Sequence, residues 1–223
     1  MIASLLLASL GVPPVPAPPA AAPKSRFEVV VPRALSAEPT TGRVFVFLAR
    51  DSAPEPRRQA GGMVSIPFFG VDIEHLAPGT PVVVDETALG YPYRSLDQLP
   101  AGDYYVQALV SVYTRFSRAD GHTVWAHMDQ WEGQQFNEAP GSLVSAVRRV
   151  RIDPRRGFRI RLDLSRVLPA VVVPPDDQYV KRIKIKSEIL TKWWGHPIYL
   201  GAVVLLPKGY DQHPNVRYPT IWE

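Results

Sequence analysis

Apolar and polar residues alternate with a period of two through most of the chain from Phe27 onward. Such alternation places successive side chains on opposite faces of an extended backbone and is typical of half-buried β-strands. Turns that contain Pro or Gly separate the apolar runs. The predicted strands are residues 27–31, 43–49, 81–85, 104–113, 147–152 and 158–164.

This succession of short strands predicts a mainly β protein in which residues 25–170 form an immunoglobulin-like β-sandwich. Pro accounts for 24 of the 223 residues, roughly twice its usual share of about 5%. Because Pro interrupts helices, long helical bundles and coiled coils are not expected. The one helical turn that we expect lies near residues 95–99.

A Pro/Gly corner precedes the strand predicted at 104–113. The sequence Leu-Pro-Ala-Gly-Asp-Tyr at residues 99–104 places a tyrosine just inside that strand. It resembles the tyrosine corner of immunoglobulin-like domains, in which the hydroxyl bonds to the backbone upstream. The alternative is an ordinary aromatic residue at the start of a strand. We predict that Tyr104 is buried with its hydroxyl bonded to an upstream backbone group.

The alternation also predicts which side chains face solvent and which face a core, because the two sets lie on opposite sides of a strand. The cations expected in solvent are Arg159, Arg161, Lys184 and Lys186. The apolar residues expected to face a core are Phe158, Ile160, Leu162, Ile183 and Ile185.

Residues 1–24 form an apolar run followed by a Pro/Ala-rich stretch. The run is shorter than the roughly 20 residues that cross a bilayer. A short apolar region that ends in small residues is typical of a secretory signal peptide, although no Lys or Arg precedes it here. We therefore expect an exported protein, periplasmic or extracellular, without a membrane span. The absence of Cys excludes disulfides, thiolate metal sites and a cysteine nucleophile.

A different pattern follows residues 171–177, where Pro and Asp residues predict a linker. Strands are predicted at 180–187 and 198–206, with an aromatic turn at 192–197 between them. A further apolar strand is predicted to start at Tyr218, close to the last residue, Glu223. We therefore expect residues 178–223 to be the truncated start of a second domain.

The segment YLGAVVLLPKGY at residues 199–210, followed by His213-Pro214 and Tyr218-Pro219-Thr220-Ile221, resembles the opening of an esterase branch of the α/β-hydrolase superfamily. Residues 95–108, 132–137 and 140–143 are similar to the β-sandwich domain that precedes the catalytic domain of some secreted members. The resemblance implies that residues 178–223 are the incomplete start of an α/β-hydrolase domain. It also implies an N-terminal fragment of an exported carboxylic-ester hydrolase. The sandwich would then support or orient a missing C-terminal catalytic domain of the same protein that acts on an ester or polysaccharide substrate.

The residues that carry catalysis in that family are absent. Its nucleophilic Ser lies on a strand–turn–helix elbow, usually G-x-S-x-G, and the acid and the His follow it in the chain. No G-x-S-x-G occurs here, so neither His196 nor His213 corresponds to the catalytic His. We assign no catalytic, cofactor-binding or metal-binding residue and expect this chain to be inactive alone.

Two imidazoles and a carboxylate lie close together at His122, His127 and Asp129. A zinc site needs three or four ligands that converge on one point. No ligand set of that number is visible in the sequence, so we expect a solvated loop rather than a metal site.

Several aromatic residues could form a platform on which sugar rings stack. The same residues could equally pack in an ordinary core, where aromatic rings bury large areas. We favour core packing for most of them. The residues concerned are Tyr91, Tyr93, Trp125, Trp131 and Phe136.

The formal net charge of +4 is too small to indicate nucleic-acid binding. Residues 148–192 contain 13 basic and 5 acidic residues, a difference of +8. These cations alternate with apolar residues, which favours the solvent face of strands over a ligand-binding patch. Two alternatives to an esterase fragment remain open: a non-enzymatic secreted module that binds polysaccharide or a protein partner, and a structural envelope domain without a ligand.

Overall fold

The computed structural model describes residues 24–61, 65–128 and 135–222. The described part is mainly β, as predicted. It contains one α-helix, α1 (Glu188–Trp194), and 3₁₀ turns at Pro56–Gln59, Leu96–Gln98 and Tyr210–Gln212. The strands are β1 (Arg26–Val30), β2 (Thr40–Ala49), β3 (Phe68–Leu76), β4 (Pro81–Val84), β5 (Leu89–Tyr91), β6 (Gly102–Val112), β7 (Thr114–Ser117), β8 (Thr123–Ala126), β9 (Leu143–Ser145), β10 (Arg148–Ile152), β11 (Arg159–Val167), β12 (Val180–Lys186) and β13 (Tyr199–Leu205).

Nine strands form one sheet in the order β4-β1-β11-β9-β6-β2-β3-β5, with β10 also paired to β6. Strands β1 and β11 run parallel to each other. The sheet curls over on itself. As a result, Phe27 and Leu162 from the half that contains β1 and β11 share a buried core with Phe69 and Val106 from the half that contains β3 and β6. We call this curled sheet and its loops, residues 24–168, the β domain.

Strand β2 is buried on both faces. Val44, Val46 and Leu48 point into the main core, whereas Phe45 and Phe47 belong to a second cluster on the outer side of the sheet. This second cluster also contains Leu109, Val144 and Leu168, and we call it the outer cluster. Burial on both faces explains why residues 43–49 are almost continuously apolar.

The six strands predicted in the β domain are all present, with ends within three residues of the prediction. The helical turn expected near 95–99 is also present at Leu96–Gln98. Strands β3, β5, β7, β8 and β9 were not predicted. In β3, Phe69, Val71 and Ile73 do alternate with Gly70, Asp72 and Glu74, so the period-two pattern was present and was overlooked.

The prediction for Tyr104 is confirmed. Tyr104 is only 2% exposed, and its hydroxyl donates a hydrogen bond of 2.7 Å to the carbonyl oxygen of Pro100. Arg50 covers the ring, with its guanidinium carbon 3.7 Å from the centroid. Arg50 also donates from Nη2 to the Tyr104 hydroxyl at 2.9 Å. Burial raises the pKa of this hydroxyl above its ordinary value.

Tyr104→Phe is expected to lower the free energy of unfolding by about 1–3 kcal/mol, because the Pro100 carbonyl and the Arg50 guanidinium each lose a hydrogen-bond partner. Denaturant unfolding of the variant and the parent protein measures this difference. Tyr105→Phe is the matched control, since the neighbouring ring is only half-buried. Equal stability of Tyr104→Phe and the parent would show that the corner contributes nothing.

The prediction of which side chains face solvent and which face a core is confirmed for β11 and is wrong in part for β12. In β11, Arg159 and Arg161 are exposed while Ile160 and Leu162 are buried, and Phe158 just before it packs 5.1 Å from the Phe27 ring. In β12, Lys184 and Lys186 are exposed as predicted. Ile183 and Ile185, however, are 41% and 59% exposed. Within the described residues, β12 pairs with β13 and no layer covers its apolar face.

The prediction of a strand that starts at Tyr218 is wrong. Residues 218–222 contain no strand. A strand needs a neighbour to accept its backbone hydrogen bonds. Among the described residues, no strand pairs with this segment. The side chains of Ile221 and Trp222 are consequently exposed.

Candidate functional site

We call residues 178–222 the C-terminal unit; its framework is the antiparallel pair β12–β13, in which Ile183 lies opposite Ala202 and Ile185 lies opposite Leu200. Residues directly opposite each other share a face of the pair. One face therefore carries Ile183, Ile185, Leu200 and Val204, with Lys181 opposite Val204, and we call it the apolar face. The other, cationic, face carries Arg182, Lys184 and Lys186 beside Tyr199, Val203 and Leu205. The apolar side chains of both faces are largely exposed.

Helix α1 connects the two strands and has local signals at both ends. The Ser187 hydroxyl accepts the backbone N–H of Leu190, as a helix N-cap does. Gly195 follows the helix with φ of 72°, the left-handed conformation that glycine adopts readily at a helix C-terminus. The prediction of an aromatic turn at 192–197 is therefore wrong for residues 192–194, which form the last residues of α1.

Helix α1 contacts the hairpin formed by β7 and β8. The rings of Phe116 and Trp194 meet edge to face with centroids 6.0 Å apart. The Arg118 guanidinium lies 5.5 Å from the centroid of Trp193. The backbone N–H of Ala119 donates to the Trp193 carbonyl oxygen at 2.9 Å. These contacts join the C-terminal unit to the β domain.

A buried polar network in the β domain surrounds Arg57, which is 4% exposed. Arg57 donates from Nε to Glu55 and from Nη1 to the Asn137 carbonyl oxygen, both at 2.8 Å. Asn137 donates back to the Arg57 carbonyl oxygen at 2.7 Å. Gln107 on β6 donates to Glu55 and to the Ser145 carbonyl oxygen, both at 3.2 Å.

The Glu55 carboxylate accepts hydrogen bonds from Arg57, Gln107 and Arg166. Burial acts to raise its pKa, but hydrogen bonds from Gln107 and Arg57 and the charges of Arg57 and Arg166 outweigh burial and lower it. Arg166 on β11 is hydrogen-bonded to the same carboxylate. The oxygens of Glu55 are thus engaged by donors from three elements, which suits a structural connection better than proton transfer. We call the network of Glu55, Arg57, Gln107, Asn137 and Arg166 the polar latch.

The histidine cluster does not assemble a ligand set. His122 Nδ1 lies 3.2 Å from Asp120 Oδ1, and His127 lines a shallow open cavity of about 180 Å³ with Thr114 and Met128. Asp129 lies outside the described residues. In the parts of the chain that the structure covers, no three His, Asp or Glu residues are placed to hold a metal ion.

The described aromatic residues of the sugar-stacking platform, which was the alternative to core packing, occupy separate places. Phe136 packs 4.6 Å from Phe45 in the outer cluster, and Tyr91 lies 6.1 Å from Phe68 at the start of β3. Trp125 instead contacts His75 near the end of β3, at 6.0 Å. Residues 68 and 75 of one strand are roughly 23 Å apart. Tyr93 packs against the main core, and Trp131 lies outside the described residues.

Exposed cations of β10 and β11 have carboxylate partners on the same surface. Glu28 binds Arg159 at 2.7 Å and Arg26 at 2.9 Å, and these bonds hold its pKa below the ordinary value. Arg161 pairs with Asp163, and Arg149 pairs with Asp103. This charge compensation fits the solvent face of a sheet.

Comparisons with protein-family models, with curated proteins and with solved structures find no match for this chain. The described segments contain no helix of the length and apolarity needed to cross a membrane.

Proposed function

We propose that this chain is the N-terminal part of an exported carboxylic-ester hydrolase. In this proposal the β domain is an immunoglobulin-like sandwich, and β12 and β13 are the first strands of an α/β-hydrolase domain. The observation that carries the proposal is the exposure of apolar side chains on both faces of β12–β13, including Ile185, Leu200 and Val203. The sheets of α/β domains are covered on both faces, whereas an isolated two-stranded ribbon is marginally stable.

Two sequence features support the same assignment. Residues 199–210 combine β13 with the following PKGY turn and resemble the opening of the esterase family. The Tyr104 corner, with its hydroxyl bonded to the Pro100 carbonyl, supports an immunoglobulin-like relationship for the β domain. Together they favour an accessory β domain placed before a catalytic one.

The chemistry of the proposed enzyme belongs to a catalytic domain C-terminal to β13. Ester hydrolysis requires an activated Ser, its His base, an orienting acid and hydrogen-bond donors for the oxyanion. The sequence contains no G-x-S-x-G elbow. The role that we assign to the present chain is therefore support and orientation, and we assign no reacting group within it.

A polysaccharide-binding module is the alternative function, and it has less support. A sugar-binding platform needs exposed rings on one surface. Phe136 is packed in the outer cluster, and Trp125 and Tyr91 lie near opposite ends of β3. Tyr91 and Trp125 are 51% and 40% exposed, but their separation along β3 leaves no single surface on which several of the described rings could bind a sugar.

We expect the purified chain to hydrolyse an activated short-chain ester, such as nitrophenyl acetate, no faster than buffer, because its hydroxyl groups lack an activating base. Turnover that disappears when one Ser is replaced would contradict this expectation.

The positive test extends the chain with the sequence encoded after Glu223 and assays the longer protein. We expect it to contain a G-x-S-x-G elbow and to hydrolyse the ester, with loss of at least about 10³-fold in kcat when the elbow Ser becomes Ala. A reading frame without that elbow, or a longer protein without ester hydrolysis, would overturn the proposed function.

A further inference from the structure

The β7–β8 hairpin stands apart from the rest of the β domain. It forms a separate two-stranded sheet, and within the described residues neither strand pairs with the nine-stranded sheet. None of its side chains belongs to the main core or the outer cluster. Arg115 lies opposite Trp125, and Phe116 lies opposite Val124. The hairpin therefore presents two faces, one with Trp125 and the other with Phe116.

The Trp125 face rests on the β domain. Its indole meets the His75 ring at an angle of 90°, with centroids 6.0 Å apart. His75 has φ of 47°, a left-handed conformation that is uncommon for residues other than glycine. The His75 N–H donates to Thr41 Oγ1 at 3.1 Å, which fixes this bend to β2. The backbone of His75, whose ring contacts Trp125, is thus fixed in place by its hydrogen bond to Thr41.

The Phe116 face and the turn of the hairpin meet helix α1. Phe116 contacts Trp194, and Arg118 lies over Trp193. The Trp193 carbonyl belongs to the last turn of α1, where the carbonyl groups lack partners within the helix. The Ala119 N–H supplies a partner for it from the β domain. The hairpin thus satisfies a backbone group of the C-terminal unit as well as packing on its rings.

The covalent connection between the two parts offers little restraint of its own. Residues 169–179 are exposed and lie outside the helices and strands. Orientation across such a segment is set by noncovalent contacts, and relative motion is the default when those contacts are few.

We infer that the β7–β8 hairpin is the docking element through which the β domain holds the C-terminal unit in a defined orientation. The Trp125 face is the anchor, and the Phe116 face with Arg118 and Ala119 is the interface for α1. The inference concerns orientation alone and does not rest on the proposed esterase activity.

The test measures one distance across the interface in the whole chain. The sequence has no native Cys, so Ala37→Cys and Lys208→Cys provide two unique sites for spin labels, both exposed. We expect a single narrow distance distribution in this labelled parent. Combining Phe116→Ala with Arg118→Ala should abolish the narrow distribution. Trp194→Ala should do the same without altering the hairpin.

Arg156→Ala is the matched control, because Arg156 is an exposed arginine in the turn between β10 and β11, outside the hairpin and its two contact faces. It should leave the narrow distribution intact. Circular dichroism and the unfolding midpoint of the β domain should be unchanged in every variant. A narrow distribution that survives the double replacement and Trp194→Ala would overturn the inference, as would equal broadening by Arg156→Ala. Absence of esterase activity in any longer protein would leave the inference unaffected.

Discussion

Glu55→Gln is expected to lower the free energy of unfolding by about 2–3 kcal/mol at pH 7, because it leaves a buried cation without its counter-charge. Arg57 is the cation concerned, and its Nε bonds to the carboxylate that the substitution neutralises. The amide side chain keeps the shape of Glu55 but offers one acceptor oxygen in place of two. Chemical denaturation of the variant and the parent measures the difference.

The stability that Glu55 contributes should depend on pH with a defined sign. The pKa of Glu55 is lower in the folded protein than its ordinary value of 4.5. Its contribution is therefore fully present above pH 4.5 and is lost as the pH falls through the folded pKa. The stability difference between the parent and Glu55→Gln should accordingly shrink below pH 4.5.

Asp163→Asn is the matched control for the polar latch. Asp163 also pairs with an arginine, Arg161, but both side chains are more than half exposed. Exposed ion pairs contribute at most about 1 kcal/mol, so this variant should be nearly as stable as the parent. Equally small effects of the two substitutions would show that the latch contributes no more stability than an exposed ion pair, and a Glu55 effect that persists at low pH would show that its contribution does not come from the carboxylate charge.

The polar latch also shows what local sequence patterns miss. Glu55, Gln107 and Arg166 belong to three distant segments, and no spacing links them. The sequence held one sign of a buried polar contact, because Gln107 is a polar residue inside the apolar run 104–113. In the structure Gln107 is fully buried. Tyr104 was predictable because its partner, the Pro100 carbonyl, lies four residues upstream. Local chemistry could be predicted; contacts between distant segments could not.

Strands β11 and β12 show the same limit for packing. Both alternate cations with apolar residues, yet Leu162 is buried and Ile185 is exposed. Alternation determines which side chains share a face. Whether another layer covers that face depends on elements far away in the chain. For the C-terminal unit, local signals at Ser187 and Gly195 would have predicted α1, but its contact with the hairpin has no local signature.

Amide hydrogen exchange is expected to be on the order of 10³-fold faster in β13 than in the centre of β6, because opening free energies follow burial and hydrogen bonding. Strand β6 pairs with β2, β9 and β10, and Val106, Ala108 and Val110 are fully buried. In the described structure β13 pairs with β12 alone. Separating β13 from β12 exposes little additional apolar surface, so its opening should require far less free energy than unfolding of the β domain.

Strand β4 separates the effect of a free edge from the effect of an uncovered face. It is also an edge strand and pairs with β1 alone in the sheet order, but Val84 is fully buried in the main core. If coverage of the apolar face controls stability, the amides of β4 that bond to β1 should exchange far more slowly than those of β13. If edge position controls it, the two strands should exchange alike. Protection of residues 199–205 equal to that of β6 would contradict the prediction and would mean that β12–β13 is stable without a covering layer.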